Sequence, residues 1–170
     1  MRVLFLDFDG VLNSTQTEFL SNLDFQQYSF ADSAYDLNFD GYLINVLNKV
    51  MSFLPEVKIV ISSSWRTHYT LEEIKNRMYL KGFKYTTRIV DITPYTQISR
   101  GMDIKEYCNA NRIGDYCILD DSNDMLPEQI ERFVQTNELI GLNIIDCLKV
   151  IQIFYPDSDI IKKYYYVLGN

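Results

Sequence analysis

The chain has 170 residues, enough for one domain with a sizeable core, and 47% of them are apolar, which excludes an intrinsically disordered chain. Its formal net charge of −7 gives no global attraction to nucleic acid or to an anionic membrane surface, although it leaves room for a local basic groove. Three cysteines without metal-ligand spacing (Cys108, Cys117, Cys147), an N-terminal apolar stretch interrupted by Asp7 and Asp9, and no run of membrane-spanning length make a soluble, cytoplasmic protein the expectation.

In chain order, the first element is the continuous apolar run Val3–Leu6, a buried strand. Residues Asn13–Asp40 are polar and aromatic and predict a small flap or insert over the sheet edge. Leu43, Val46, Leu47, Val50, Met51 and Leu54 then recur at three- and four-residue spacing, one apolar stripe of a helix. Val57–Ile61 is the second strand. Thr70 and Glu73 form a T-x-x-E capping box for a helix that Gly82 ends. Arg88–Ile92 follows as a strand, Met102–Asn111 as a helix and Tyr116–Leu119 as a strand. Pro127 suits the first turn of a short helix, Phe133–Gln135 is a weaker strand, and Asn143 caps a helix over Ile144–Phe154. A last helix, Ser158–Leu168, is placed to cover the sheet with its tyrosines. Strands alternating with helices predict a single α/β domain over residues 1–170, with right-handed crossovers. Apolar runs without polar alternation predict a parallel sheet covered on both faces.

Three of these strands end in chemically loaded residues. Val3–Leu6 runs into Asp7-Phe8-Asp9-Gly10, Val57–Ile61 into Ser62-Ser63-Ser64-Trp65-Arg66, and Tyr116–Leu119 into Asp120-Asp121-Ser122-Asn123-Asp124. In a parallel sheet all three meet at the carboxyl edge, where open α/β folds bind ligands. Five carboxylates there repel one another unless a cation sits among them, and oxygen-only ligands favour Mg²⁺. A phosphate beside such an ion needs hydroxyl, amide and cationic donors; the Ser62–Ser64 run supplies the first two, and Arg100 or Lys105 the third. Gly10 allows a tight turn after the second aspartate.

The segment FLDFDGVLN resembles the DxDG(V/T) signature of haloacid dehalogenase-like (HAD) phosphatases, and SSSWR and LDD follow in that superfamily's order. The combination looks most like the HAD domains grouped with RNA-repair "Swiss Army knife" proteins. The resemblance implies a three-layer Rossmann-like fold with no large cap, and a Mg²⁺-dependent phosphomonoester hydrolase. It implies Asp7 as nucleophile, Asp9 as general acid/base, and the Phe8 carbonyl as a backbone metal ligand. Ser62 matches the hydroxyl that holds the phosphoryl group, with Ser63 as the alternative. Arg100 matches the basic residue of the third motif; a lysine is commoner there, which keeps Lys105 open. Asp7, Asp9 and Asp120 are metal candidates, with Asp121 or Asp124 as the further acid.

Without its companions, D-x-D-G has turn chemistry as its alternative reading, and the serine run a strand-end cap. His68 is expected to be exposed. Trp65 suits packing, and Arg66 is a substrate contact or a helix-end cation. The substrate classes left open are a nucleotide, a phosphorylated polynucleotide end met by Asn13, Trp65 and Arg66, and a small phosphometabolite. A non-catalytic phosphate-binding module would lack one of the two leading aspartates, and both are present. A phosphotransferase would share the nucleophile, but Asp9 favours hydrolysis because it can activate water.

Overall fold

The computed structural model describes residues 1–24 and 39–164. Its elements are β1 (Arg2–Leu6), α1 (Thr15–Asp24), α2 (Gly41–Phe53), β2 (Val57–Ile61), α3 (Leu71–Leu80), β3 (Ile89–Ile92), α4 (Arg100–Asn111), β4 (Asp115–Asp120), β5 (Phe133–Gln135), α5 (Ile144–Phe154) and α6 (Asp159–Tyr164). Short 3₁₀ helices occupy Ser64–Thr67, Thr86–Arg88 and Pro127–Arg132. Among these residues no helix is long and apolar enough to cross a membrane.

All pairings are parallel, and the strands lie in the order β3-β2-β1-β4-β5. Alternate side chains of the central strands enter two cores. Leu4, Leu6, Ile59, Ile61 and Leu119 pack with Leu47 and Met51 of α2, Ile74 of α3 and Leu148 of α5. Val3, Phe5, Val60 and Ile118 pack with Ile104 and Tyr107 of α4 on the opposite face, where Phe5 meets Tyr107 and Tyr116 edge-on at 5.7 Å. Burying each such side chain contributes about 1.5–3 kcal/mol. Burial on both faces is why the strands lack polar alternation. The result is a three-layer, Rossmann-like α/β fold.

The local signals act as the sequence suggests, with shifts at element ends. Thr70 and Glu73 close their capping box on α3. That helix ends at Gly82 (φ +91°), where the N–H groups of Gly82 and Phe83 donate to Tyr79 and Met78 carbonyls at 2.8 and 2.9 Å. Helix α4 starts two residues before the expected Met102, because Ser99 Oγ accepts the Met102 N–H at 3.1 Å. Arg88 lies in a 3₁₀ turn and not in β3; its guanidinium donates to the Leu54 and Met51 carbonyls at 2.5 and 2.8 Å. The helix after Leu126 is 3₁₀, with Pro127 in its first turn. Within the expected insert, residues 15–24 are helix α1, and residues 25–38 lie outside the described residues. Helix α6 is described to Tyr164; the expected continuation to Leu168 lies beyond the described residues.

Candidate active site

Backbone pairing continues one residue past the strands. The Asp7 N–H donates to Leu119 (3.0 Å), Ser62 to Leu6 (2.9 Å), Thr93 to Ile61 (2.9 Å) and Thr136 to Asp120 (3.0 Å). Asp7 is thereby flanked by Ser62 on one side and Asp120 on the other. This is also where the strand order reverses direction, the crevice in which such sheets hold ligands.

Of the five carboxylates expected to converge, three do. Asp7, Asp120 and Asp121 offer oxygens all within 4.8 Å of one another, and Asp7 and Asp120 are only 3% and 0% exposed. Gly10 makes this possible: its φ is +66°, and a Cβ there would collide with the Asp121 carboxylate. Arg100, in the first turn of α4, reaches Asp7 Oδ1 and Oδ2 at 3.2 and 3.4 Å and Asp120 Oδ2 with its Nε at 3.4 Å. Burial opposes the charge on Arg100, but Asp7 and Asp120 outweigh it and hold the guanidinium above its ordinary pKa. Burial first, and then the Asp7 charge, push Asp120 up to about 8 and raise Asp121 as well. Fully ionised, the three carboxylates would leave two negative charges against one guanidinium, and burial together with this excess is why Asp120 holds its proton to higher pH when no cation is present. Asp120 Oδ2 is buried without a hydrogen-bond partner. A divalent, oxygen-preferring cation fits both the residual charge and an oxygen that the 3.4 Å ion pair with Arg100 leaves without a hydrogen bond.

Asp9 and Asp124 turn elsewhere. Asp9 is exposed; Trp65 Nε1 donates to its two oxygens at 3.2 and 3.1 Å, and Asn13 Nδ2 to Oδ1 at 2.8 Å. Asp124 accepts the Arg100 backbone N–H at 3.0 Å and lies 3.1 Å from Ser122 Oγ, so it fixes the start of α4. The Phe8 carbonyl, expected to face a metal, accepts instead from Val11, Leu12 and Asn13 N–H groups at 3.1, 2.8 and 3.3 Å, which uses its lone pairs. Trp65 stacks on Phe39 at 4.9 Å and meets Phe8 edge-on at 5.3 Å.

The two serines also separate. Ser63 Oγ caps the 3₁₀ turn by accepting the Trp65 N–H at 3.3 Å. Ser62 Oγ is buried with no partner, beside Asp7, and Thr93 Oγ1 is buried and unpartnered on the next strand. Lys105 pairs with Glu128 at 2.9 Å on the surface and takes no part in the cluster; Arg100 alone of the two cations contacts Asp7.

Arg66 is not a free substrate contact. Its side chain is 5% exposed; NH1 donates to Ser62 and Ser63 carbonyls at 2.6 and 2.9 Å, and NH2 pairs with Asp103. Asp103 also accepts from Thr96 N–H and Oγ1 at 2.8 and 2.6 Å. Burial lowers the Arg66 pKa, and Asp103 works against that. The pair ties the serine loop to α4. Asp103→Asn should cost about 3 kcal/mol, because it leaves a buried guanidinium uncompensated. A denaturant midpoint equal to that of the parent would contradict this.

A family model described as the HAD domain in Swiss Army Knife RNA repair proteins matches residues 3–146. The chain belongs to this family. No curated protein and no solved structure matches it. The match places this HAD domain among HAD-type hydrolases, and it runs through every strand and through the Asp7, Ser62, Arg100 and Asp120 positions. Two residues around the HAD site, Thr93 and Asp103, escaped sequence reasoning, as did the contact between Trp65 and Asp9. Thr93 follows a run with nothing to mark it, Asp103 sits in a helix like any surface acid, and Trp65 has its Asp9 partner 56 positions away. The thiols play no part: burial pushes Cys108 up to about 11, Cys147 up to about 12 and Cys117 up further. His68 is exposed, as expected.

Proposed function

We propose that this HAD domain is a Mg²⁺-dependent phosphomonoester hydrolase acting through an aspartyl-phosphate on Asp7. The observation that carries this reading is the cluster of Asp7, Asp120 and Asp121 at the β1/β4 crevice, with Arg100 against it and an unpartnered Ser62 hydroxyl beside it. Asp7, Asp120 and Asp121 would hold the ion, and a bound Mg²⁺ would supply charge neutralisation at the phosphoryl oxygens.

The chain's own residues perform the steps. The Asp7 carboxylate attacks phosphorus and the P–O bond to the leaving group breaks, with Asp9 giving its proton to the departing oxygen. Asp9, now a carboxylate, takes a proton from water; that water attacks phosphorus and frees Asp7 and inorganic phosphate. Splitting one displacement into two lowers each barrier. Ser62 Oγ donates to a phosphoryl oxygen, and Arg100 offsets the charge there, where most phosphoryl-transfer catalysis lies. Trp65 and Asn13 hold Asp9 in position through their N–H donors. We further propose a nucleotide or a phosphorylated polynucleotide end as the substrate class, in keeping with a family described from RNA repair proteins, and a cytoplasmic setting.

Turnover of a panel of nucleotides, sugar phosphates and phosphorylated oligonucleotides tests the reading. Exhaustive chelation should stop turnover and Mg²⁺ should restore it. Ca²⁺ should bind yet support little activity, because its looser coordination misplaces the attacking oxygen. Full activity after chelation, or recovery with zinc alone, would remove the proposed ion.

A further inference from the structure

Beside the carboxylate cluster lies a cleft of about 290 Å³, lined by Asp121, Gln135, Thr136, Asn137, Glu138 and Leu139. Its wall is already built. Gln135 Nε2 donates to the Asp121 carbonyl at 2.9 Å, and Thr136 Oγ1 to the Gly10 carbonyl at 2.8 Å. The Leu139 N–H donates to Asn137 Oδ1 at 2.8 Å, and the Glu138 and Leu139 carbonyls accept from Thr15 and Gln16 at 3.0 and 3.1 Å. With Asp121 given to the carboxylate cluster, the charged group that remains on this wall is the Glu138 carboxylate, an acceptor. Such a wall suits hydroxyl donors and repels anions. Its volume is at the small end for ligand sites, where about 300–1,000 Å³ is usual.

The charge around the crevice points the same way. Residues 7–14, 62–70, 93–99, 121–126 and 136–143 lie at the carboxyl edge; they carry Asp7, Asp9, Asp121, Asp124 and Glu138, and Arg66 as their one lysine or arginine. Arg66 is committed to Asp103, and Arg100 to Asp7 and Asp120. A protein that holds single-stranded nucleic acid tracks its backbone with a positive groove, and the described residues of this edge form none.

We infer that this cleft receives the pentose of a small phosphomonoester, free or within a mononucleotide, and that the domain does not grip a polynucleotide chain behind the phosphate. The inference rests on the phosphomonoesterase reading of the adjoining carboxylates. The Glu138 carboxylate accepts pentose hydroxyls, while Asp7 addresses the phosphate.

The test compares kcat/KM for phenyl phosphate, ribose 5-phosphate, 5′- and 3′-mononucleotides and a phosphorylated single-stranded oligonucleotide, in the full chain and in Glu138→Ala. The Glu138 contact should give pentose-bearing monomers an advantage of about 10-fold, read as the ratio of their kcat/KM to that of phenyl phosphate in the full chain over the same ratio in Glu138→Ala, the scale of a hydrogen bond to a charged group. The faster of ribose 5-phosphate and the mononucleotides identifies the source of the pentose. Glu138→Ala should remove that advantage and leave phenyl phosphate unchanged. The oligonucleotide should do no better than the mononucleotide, and its kcat/KM should be nearly flat between about 50 and about 200 mM salt, where a backbone-gripping site loses orders of magnitude. An oligonucleotide preference that collapses with salt would overturn the inference, as would an equal loss on every substrate in Glu138→Ala. Either result leaves phosphatase activity standing. Failure to hydrolyse even phenyl phosphate would instead remove the phosphatase reading, and the inference with it.

Discussion

Asp7→Asn should bring phosphomonoester turnover down to background, a loss of about 10⁶-fold, the scale on which a covalent enzyme loses its nucleophile. The amide has nearly the shape of the carboxylate but cannot attack phosphorus. Its fold should survive. The backbone N–H of Asp7 still reaches the Leu119 carbonyl, and the side chain loses a charge that now faces Asp120 and Asp121. Less repulsion in a metal-free cluster offsets the weaker contact with Arg100. The melting temperature in chelator should stay within about 4 °C of the parent, a shift that about 1 kcal/mol produces in a domain of this size. Two measurements therefore belong together: steady-state hydrolysis and a thermal melt of the same purified protein. A folded Asp7→Asn protein with substantial activity would sink the aspartyl-phosphate route. Loss of activity with loss of fold would instead say that Asp7 matters to packing.

Why these residues could be found without coordinates, and others could not, follows from how far each signal travels along the chain. Val3–Leu6 and Val57–Ile61 are apolar throughout because helices cover both faces of the sheet, so their burial is written locally. The strand-end residues Asp7, Ser62 and Asp120 follow directly, since a parallel sheet carries all three to one edge. The choice between neighbours is different. Ser62 and Ser63 are adjacent and chemically identical; only the turn tells them apart, because it spends Ser63 Oγ on the Trp65 N–H and leaves Ser62 free. Asp121 and Asp124 divide in the same way, one taken into the cluster by the close pass of Gly10 and the other held by the start of α4. Of the two readings of Arg66, the helix-end cation fits its place in the 3₁₀ turn, but its partner Asp103 is 37 positions away on another element, and nothing local announces a buried pair. The Phe8 carbonyl failed as a metal ligand for a related reason: a backbone turn after β1 claims it, and turns of that kind depend on the conformation at Gly10.

The sharpest separation of roles lies in Asp9→Asn. Two residues along a regular strand would share a face with Asp7, but the chain leaves β1 at Leu6, and Asp9 reaches the surface held by Trp65 and Asn13. It is absent from the carboxylate cluster, so its removal should leave the metal-binding residues intact. An asparagine can still accept from Trp65 Nε1 and so keep its place, but it carries no proton for the leaving oxygen. With an alkyl phosphate, a poor leaving group, the first step should slow by about 10²–10⁴-fold, the usual worth of a positioned general acid. With an activated aryl phosphate the leaving oxygen needs little protonation, so that step should survive far better. The second step still needs a base to activate water, and Asp9→Asn has none. Aspartyl-phosphate on Asp7 should then accumulate, and rapid mixing should give a burst of aryl alcohol stoichiometric with enzyme. Quenching in acid and digesting the protein should locate the phosphate on the peptide that holds Asp7. Equal losses on both substrate types, with no burst and no trapped phosphoenzyme, would assign Asp9 a structural role. The bonds from Trp65 and Asn13 would then serve only to fix the loop after β1.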